Sequence, residues 1–229
     1  MQVCAVPPFA ADSAHGCDPR WQPHDLLRLR RLAPLDGEPE WVREAFARAP
    51  FAVVRRAPAA AGFVAVGVRG NGRAQRYGTW VEAADVLEAI APEDFAASLP
   101  ALERRALPAF ALLAALRDDM SSLRRYAWGP TGSAAFELAT RMPAVTMASD
   151  LDLLVRMPKR LPQESAAQIL TELQTRAQKA GMRVDVQLET PAGGIALAEW
   201  AAGKPRVMAR CAQGPQLIAD PWAAMPGRV

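Results

Sequence analysis

Two aspartates that lie two residues apart in an apolar segment are the best candidates for chemistry in this chain. Asp150 and Asp152 belong to the run SDLDLLV, residues 149–155. Residues two apart on a strand face the same side of a sheet, so both carboxylates would project together while the intervening leucines enter the core. Neighbouring carboxylates repel each other unless a cation lies between them, and Mg²⁺ prefers oxygen ligands. The pair predicts a site for Mg²⁺, with Mn²⁺ as the alternative ion; an edge strand with two solvated aspartates is the competing interpretation.

A third carboxylate and a small-residue loop extend this prediction. Asp185 lies between two valines in a predicted strand, residues 182–188. If that strand pairs beside the acidic one, Asp185 faces the same site; otherwise it faces solvent. Gly132 and Ser133 precede a helix-forming segment, where backbone amides and the helix dipole could bind phosphate, although a plain helix cap would look the same. Metal-bound carboxylates and phosphate-binding loops suit phosphoryl and nucleotidyl transfer.

The surrounding pattern predicts the elements that would position these residues. After residue 108, predicted strands alternate with amphipathic helices, which indicates an α/β or α+β domain. Before it, we expect a smaller unit in which the Asn71-Gly72 turn joins two strands. The proline-containing segment 92–108 connects the units, and we place the domains at residues 1–96 and 97–229. The predicted helices cover residues 40–48, 81–90, 109–126 and 163–180, with a short one within 18–31; the predicted strands cover 51–55, 62–69, 73–78, 145–147, 151–155, 182–188, 195–199 and 206–210.

Composition excludes several classes of protein. Of 229 residues, 51% are hydrophobic and 22% are charged, as in ordinary globular proteins. The net charge of +3 is too mild to indicate nucleic-acid binding. No apolar run reaches the roughly 20 residues of a membrane helix, so we expect no membrane association. Three widely spaced cysteines indicate free thiols, and hence a cytoplasmic protein.

Several segments together resemble a known family. WGPTGSAAFELAT, SDLDLLVR, VDVQLETPAGGIALAEWA and GPQLIADPW occur in this order, and HDLLRL, FAVVRRA and VAVGVRGNGRAQRYGTWV precede them. They resemble the malonate decarboxylase holo-acyl-carrier-protein synthases, which are phosphoribosyl-dephospho-CoA transferases of the nucleotidyltransferase superfamily. The resemblance covers nearly the whole chain. It implies an α+β protein, with a small mixed sheet and helices in its C-terminal half and a smaller α+β domain before it.

The resemblance also implies a reaction and residue roles. Triphosphoribosyl-dephospho-CoA would be attacked by a serine of the acyl-carrier-protein subunit of malonate decarboxylase, and pyrophosphate would leave. Asp150 and Asp152 match the metal-binding pair, Gly132 and Ser133 match the phosphate loop, and Asp185 is assigned a catalytic role by superfamily analogy. Two alternatives remain open, namely a nucleotidyltransferase with another hydroxyl acceptor and a non-catalytic module that binds a nucleotide or carrier.

Four arginines are candidates for contacts with anionic partners. Arg156 directly follows the acidic strand and is a candidate for binding the pyrophosphate. Arg69, Arg73 and Arg76 surround the Gly70-Asn71-Gly72 turn. They are candidates for binding the carrier or the precursor, and a solvated hairpin tip is the alternative.

Overall fold

The protein divides into two compact units. The computed structural model describes residues 3–9, 14–16, 20–72, 74–119 and 122–223. Met1–Ala91 with Ala212–Gly214 form the first unit, and Pro92–Cys211 with Pro215–Val229 form the second. Each unit contains helices and a six-stranded sheet, which confirms the predicted α+β class. Among the described helices, none is long and apolar enough to cross a membrane.

In the first unit, the described residues form a sheet with one α-helix. Its elements are β1 (Val3–Cys4), β2 (Ala14–Gly16), β3 (Leu26–Leu29), α1 (Trp41–Arg48), β4 (Phe51–Val54), β5 (Ala59–Ala60), β6 (Phe63–Arg69), β7 (Arg76–Glu82) and β8 (Val86–Ile90). The main sheet has the order β1-β7-β6-β4-β3-β8, and β2 pairs with β5 separately. Leu27, Val42 and Val66 are fully buried in its core. The predicted hairpin around Asn71-Gly72 is confirmed, because β6 and β7 pair in antiparallel register from Phe63 opposite Glu82 to Arg69 opposite Arg76.

Two helices predicted in this unit are wrong. The segment predicted as a short helix within residues 18–31 contains β3, which pairs with β4 on one side and β8 on the other. The helix predicted over residues 81–90 is instead the end of β7, a short 3₁₀ turn and β8. Thr79 and Glu82 have the spacing of a capping box for that helix, but Thr79 is a buried residue of β7 opposite Val66. Pairing with neighbouring strands outweighs these local signals, because a helix would leave the partner strands without hydrogen bonds.

The part of the second unit that the structure describes is a mixed sheet with four α-helices. Its elements are α2 (Pro108–Asp119), β9 (Trp128–Pro130), α3 (Gly132–Thr140), β10 (Leu151–Arg156), α4 (Gln163–Lys179), β11 (Val184–Thr190), β12 (Gly193–Ala196), α5 (Leu197–Ala201), β13 (Val207–Cys211) and β14 (Gly214–Ile218). The strand order is β14-β13-β12-β11-β10-β9. In this sheet β10 and β11 are parallel, and α4 makes the crossover that a parallel pair requires. The predicted apolar stripe of α4 is buried at Ile169, Leu173 and Ala177.

The segment before the acidic strand is irregular. The strand predicted over residues 145–147 is wrong, since these residues belong to a loop between α3 and β10. The predicted strand over 195–199 ends at Ala196, where α5 follows.

At the opposite edge of β10, β9 packs so closely on the chain at Pro92 that a Cβ atom on Gly129 would overlap the Pro92 carbonyl. These close contacts define the position of β9 and of the loop that follows it.

Candidate active site

Asp152 and Asp185 lie side by side on neighbouring strands. β10 and β11 are parallel, and Asp152 is the register partner of Asp185. The Leu151 N–H also donates to the Arg183 carbonyl at 3.1 Å, which extends the pairing to the residues before each strand. Register partners on adjacent strands project on the same face, about 4.8 Å apart. The pairing that the sequence could only assume therefore places the third aspartate next to the second.

Gly132 lies directly against the Asp152 carboxylate. The Thr131 N–H donates to the Asp152 carbonyl at 2.8 Å, and α3 begins at the next residue. Gly132 has φ +60°, and a Cβ atom there would overlap Asp152 Oδ2. The backbone angle favours glycine, and any larger residue here would displace the neighbouring carboxylate. The start of α3 has no side-chain cap from Thr131, and Gly132 is exposed.

Asp150 precedes β10 and is held by an arginine that the sequence analysis did not select. Arg183 Nη2 donates to Asp150 Oδ2 at 2.7 Å, and Arg183 Nε donates to Oδ1 at 3.3 Å. The hydrogen bond and charge of Asp150, followed by the charge of Asp185, raise the pKa of Arg183 above its ordinary value. Arg183 and Asp185 are two apart, so strand periodicity could have indicated that both belong to the site.

A buried carboxylate joins α3 to the loop that leads to Asp150. Glu137 accepts hydrogen bonds from Arg104 at 2.8 and 3.0 Å and from the N–H groups of Ala144 and Val145 at 2.7 and 2.8 Å. Arg104 also donates to the Val145 carbonyl at 2.7 Å. Burial acts to raise the pKa of Glu137, but the bonds from Arg104 and the two N–H groups outweigh burial and lower that pKa below its ordinary value of 4.5. No sequence pattern predicts this contact.

The carboxylates suit an ion that takes other ligands from its substrate. Within the described part of the chain, no three His, Cys, Asp or Glu side chains are grouped so that they could hold a metal by themselves. Asp150 and Asp152, with Asp185 beside Asp152, offer only carboxylate oxygens. Mg²⁺ accepts such a partial set, because it commonly retains water and binds phosphate oxygens. The donor set therefore fits Mg²⁺ or Mn²⁺ bound together with a phosphorylated substrate.

Arg156 lies away from the acidic residues. It ends β10, four residues after Asp152, or about 13 Å along an extended strand. Its Nε donates to Glu93 Oε1 at 2.7 Å, and only 13% of its side chain is exposed. The structure thus brings Gly132, Asp152 and Asp185 together and does not bring Arg156 to them. The phosphate-binding role of Arg156 stays a prediction.

The basic turn belongs to the first unit. Arg69 and Arg76 are register partners at the end of the β6–β7 hairpin, and both are partly exposed. Arg76 Nη1 donates to the Gly72 and Gln75 carbonyls at 3.3 and 2.9 Å. Arg73, the third predicted contact, lies outside the described residues. The role of this turn in partner binding stays a prediction.

Comparison with known proteins identifies the family. Residues 22–92 match the model of the phosphoribosyl-dephospho-CoA transferase MdcG N-terminal domain, and residues 96–221 match that of the C-terminal domain. The chain belongs to the MdcG family. Together the two matches cover most of the chain and confirm the resemblance inferred from the sequence.

Curated relatives agree with this family over nearly their whole length. A phosphoribosyl-dephospho-CoA transferase of Pseudomonas aeruginosa is 43% identical over 202 residues, which is 88% of this chain and 93% of the relative. Transferases of the same name from Pseudomonas putida and Azotobacter vinelandii are 42% and 41% identical, covering 89% and 88% of this chain and 96% and 94% of theirs. No solved structure gives a significant match. Gly132, Glu137 and the acidic residues Asp150, Asp152 and Asp185 lie within the C-terminal MdcG match.

We predict that Glu137→Gln destabilises the second unit by about 2–4 kcal/mol at neutral pH, because breaking a buried ion pair leaves Arg104 without a counter-charge. Glu137 has a lowered pKa in the folded protein, so its contribution is complete above the unfolded pKa and is lost as pH falls through the lower folded value. The difference between the variant and the wild type should therefore shrink as the pH falls below 4.5, the ordinary pKa of this carboxyl.

Urea unfolding at several pH values measures this difference. Asp118→Asn is the matched control, because it removes a carboxylate from the exposed Arg117–Asp118 pair and should change stability little. Equal stability of Glu137→Gln and the wild type at pH 7 would show that this contact does not hold the loop.

Proposed function

We propose that this protein transfers the phosphoribosyl-dephospho-CoA group from triphosphoribosyl-dephospho-CoA to a serine of the acyl-carrier-protein subunit of malonate decarboxylase. Pyrophosphate is the second product. In this proposal the protein is a nucleotidyltransferase dependent on Mg²⁺ or Mn²⁺. The MdcG family supports the group transferred, since the relatives carry the name of that transferase.

The observation that carries the proposal is the contact between Gly132 and the Asp152 carboxylate. It places the open start of α3 beside a carboxylate whose register partner is Asp185. A triphosphate needs both components at one place, namely backbone N–H groups that point at phosphate oxygens and a cation site that neutralises them. Neither component by itself distinguishes a phosphoryl-transfer site from an ordinary helix start.

The proposed reaction replaces one phosphorus–oxygen bond with another. The serine oxygen forms a bond to the α-phosphorus of the precursor, and the bond from that phosphorus to the bridging oxygen of the β-phosphate breaks. The bridging oxygen leaves with its electron pair as part of pyrophosphate. When bound by Asp150 and Asp152, the metal supplies charge neutralisation at the phosphates. Asp185 accepts the serine proton, and Gly132 and Ser133 orient the phosphate chain through their N–H groups and the Ser133 hydroxyl.

Mass spectrometry of the carrier subunit tests the proposal. The purified protein is incubated with the triphosphoribosyl precursor, Mg²⁺ and the unmodified carrier, and pyrophosphate is measured in parallel. The carrier should gain the mass of the phosphoribosyl-dephospho-CoA group, with one pyrophosphate released per modification. A carrier with its modified serine replaced by alanine is the control. Binding of the precursor without any mass gain would contradict the proposal.

We predict that Asp150→Asn and Asp152→Asn each lower the transfer rate by at least about two orders of magnitude, because a lost metal ligand removes charge stabilisation in the transition state. Thermal stability without metal should change little, since Asp150 loses a pair with an exposed arginine and Asp152 loses repulsion from its neighbours. Transfer rates and thermal melts measure both effects. Asp36→Asn, at an exposed position of the first unit, is the control. A variant with more than roughly a tenth of wild-type turnover would contradict the metal assignment.

We expect Gly132→Val to reduce transfer more than Ser133→Ala. The valine side chain would overlap the Asp152 carboxylate and occupy a backbone angle that β-branched residues avoid. Ser133→Ala removes one hydrogen bond, worth about 1.5–3 kcal/mol when the acceptor is charged. Steady-state kinetics of both variants measure the difference, and Gly132→Ala tests whether a single methyl group is enough. Equal activity of Gly132→Val and Ser133→Ala would contradict the phosphate-loop assignment.

We also predict that Arg69→Glu with Arg76→Glu weakens the encounter with the carrier, because reversed charge removes attraction to an acidic partner. The apparent affinity for the carrier and its dependence on salt should fall, whereas turnover at saturating carrier should change little. Transfer rates at several carrier concentrations, in low and high salt, measure this. Arg30→Glu is the matched control, since it is exposed after β3, three strands from β7. A fall in saturated turnover alone would place the turn in the chemistry.

A further inference from the structure

We propose that Arg183 is the residue that binds the leaving pyrophosphate, and that it exchanges Asp150 for the pyrophosphate when the metal binds. This inference rests on the proposed function, since it concerns the product of that reaction. It assigns to Arg183 the contact that the sequence indicated for Arg156.

The position of Arg183 beside the carboxylates comes from the backbone. Its carbonyl accepts the Leu151 N–H at 3.1 Å, so the start of β11 is tied to the start of β10. From there its guanidinium reaches Asp150 with two nitrogens, at 2.7 and 3.3 Å. This forked geometry is also the one by which arginine binds phosphate oxygens. Arg183 therefore lies at the acidic site with a group suited to the product.

The burial of the two partners is unequal. The Arg183 side chain is 74% exposed, whereas that of Asp150 is 14% exposed. Asp150 is thus confined, whereas the guanidinium extends into solvent, and it can leave Asp150 for a ligand once another cation neutralises that carboxylate. The mobile partner of this pair is the arginine.

The charges near Asp150 give a reason for the exchange. Without metal, Arg183 supplies positive charge beside Asp150 and Asp185. A divalent cation on Asp150 and Asp152 would compete with the guanidinium for the same oxygens and repel it. A pyrophosphate bound to that cation would bring new anionic oxygens within the reach of the released side chain. The guanidinium then remains at the site and changes only its partner.

Arg156 is the other cation of this strand pair, and its surroundings differ. Its guanidinium is mostly buried and donates to Glu93, which is itself only 26% exposed. It lies at the opposite end of β10 from Asp152. Moving it to the acidic site would break a largely buried ion pair, which is costly. These contacts favour Arg183 over Arg156 as the pyrophosphate ligand.

Binding of inorganic pyrophosphate in the presence of Mg²⁺ tests the inference by calorimetry on the intact protein. Arg183→Gln should raise the dissociation constant about tenfold or more, as expected for loss of a charge-assisted contact. Arg183→Lys keeps the positive charge but lacks the forked guanidinium. Its dissociation constant should therefore lie between those of the wild type and Arg183→Gln. Arg124→Gln removes an exposed arginine elsewhere in this unit and should have no effect. An unchanged constant in Arg183→Gln, or a large rise in Arg156→Gln alone, would overturn the inference.

Metal binding without pyrophosphate separates this role from a structural one. The affinity for Mn²⁺, measured by electron paramagnetic resonance, should be equal or higher in Arg183→Gln, because a competitor for Asp150 has been removed. A merely structural Arg183 that only holds Asp150 in place would lower the Mn²⁺ affinity of the variant, and that result would contradict the exchange. The proposed function is tested by a different result: it fails if the wild-type protein does not modify the carrier, whatever Arg183 binds.

Discussion

The buried carboxylate of Glu137 is the interaction on which the geometry of the site depends. It accepts four hydrogen bonds, two from Arg104 and two from the N–H groups of Ala144 and Val145. Through them the helix that begins at the Gly-Ser turn holds the irregular loop that ends at Asp150. Within the loop itself, Thr146 and Ser149 also hydrogen-bond to each other. The helix α3 and the loop that leads to Asp150 are therefore held together by a charge that itself has no place in the proposed chemistry.

The aspartates of the acidic site suit a metal ion, but without one they repel each other. Asp150, Asp152 and Asp185 lie at the start of two parallel strands, where the register brings two of them side by side. Because neighbouring carboxylates repel each other, the site requires positive charge nearby both with and without a bound metal. Arg183 provides it through its contact with Asp150. A divalent ion and a phosphate chain would each change this balance, and the exposed guanidinium is the group that can adjust to both.

Several features could be predicted from the sequence because they depend on local pattern. The apolar stripe of α4, the β6–β7 hairpin and the strand of β10 follow from periodicity and turn chemistry, and the order of seven short segments indicated the family. The helices predicted over 18–31 and 81–90 were wrong for one reason. Leu26–Leu29 and Val86–Ile90 pair with each other in the first sheet, and local propensity carries no information about partners that are distant in sequence.

The sequence by itself determined which residues could do chemistry: two aspartates at strand spacing, a third between valines, and glycine before a helix. Only the tertiary structure decided which of them meet. The parallel register sets Asp185 beside Asp152, and the β9–β10 edge sets Gly132 against the same carboxylate. The tertiary structure also places Arg183 at Asp150 and Glu137 against the loop that leads to it. It leaves Arg156 at the far end of β10. Spacing along a chain specifies which face a side chain occupies, whereas proximity between elements depends on strand pairing and helix packing, which no local pattern encodes.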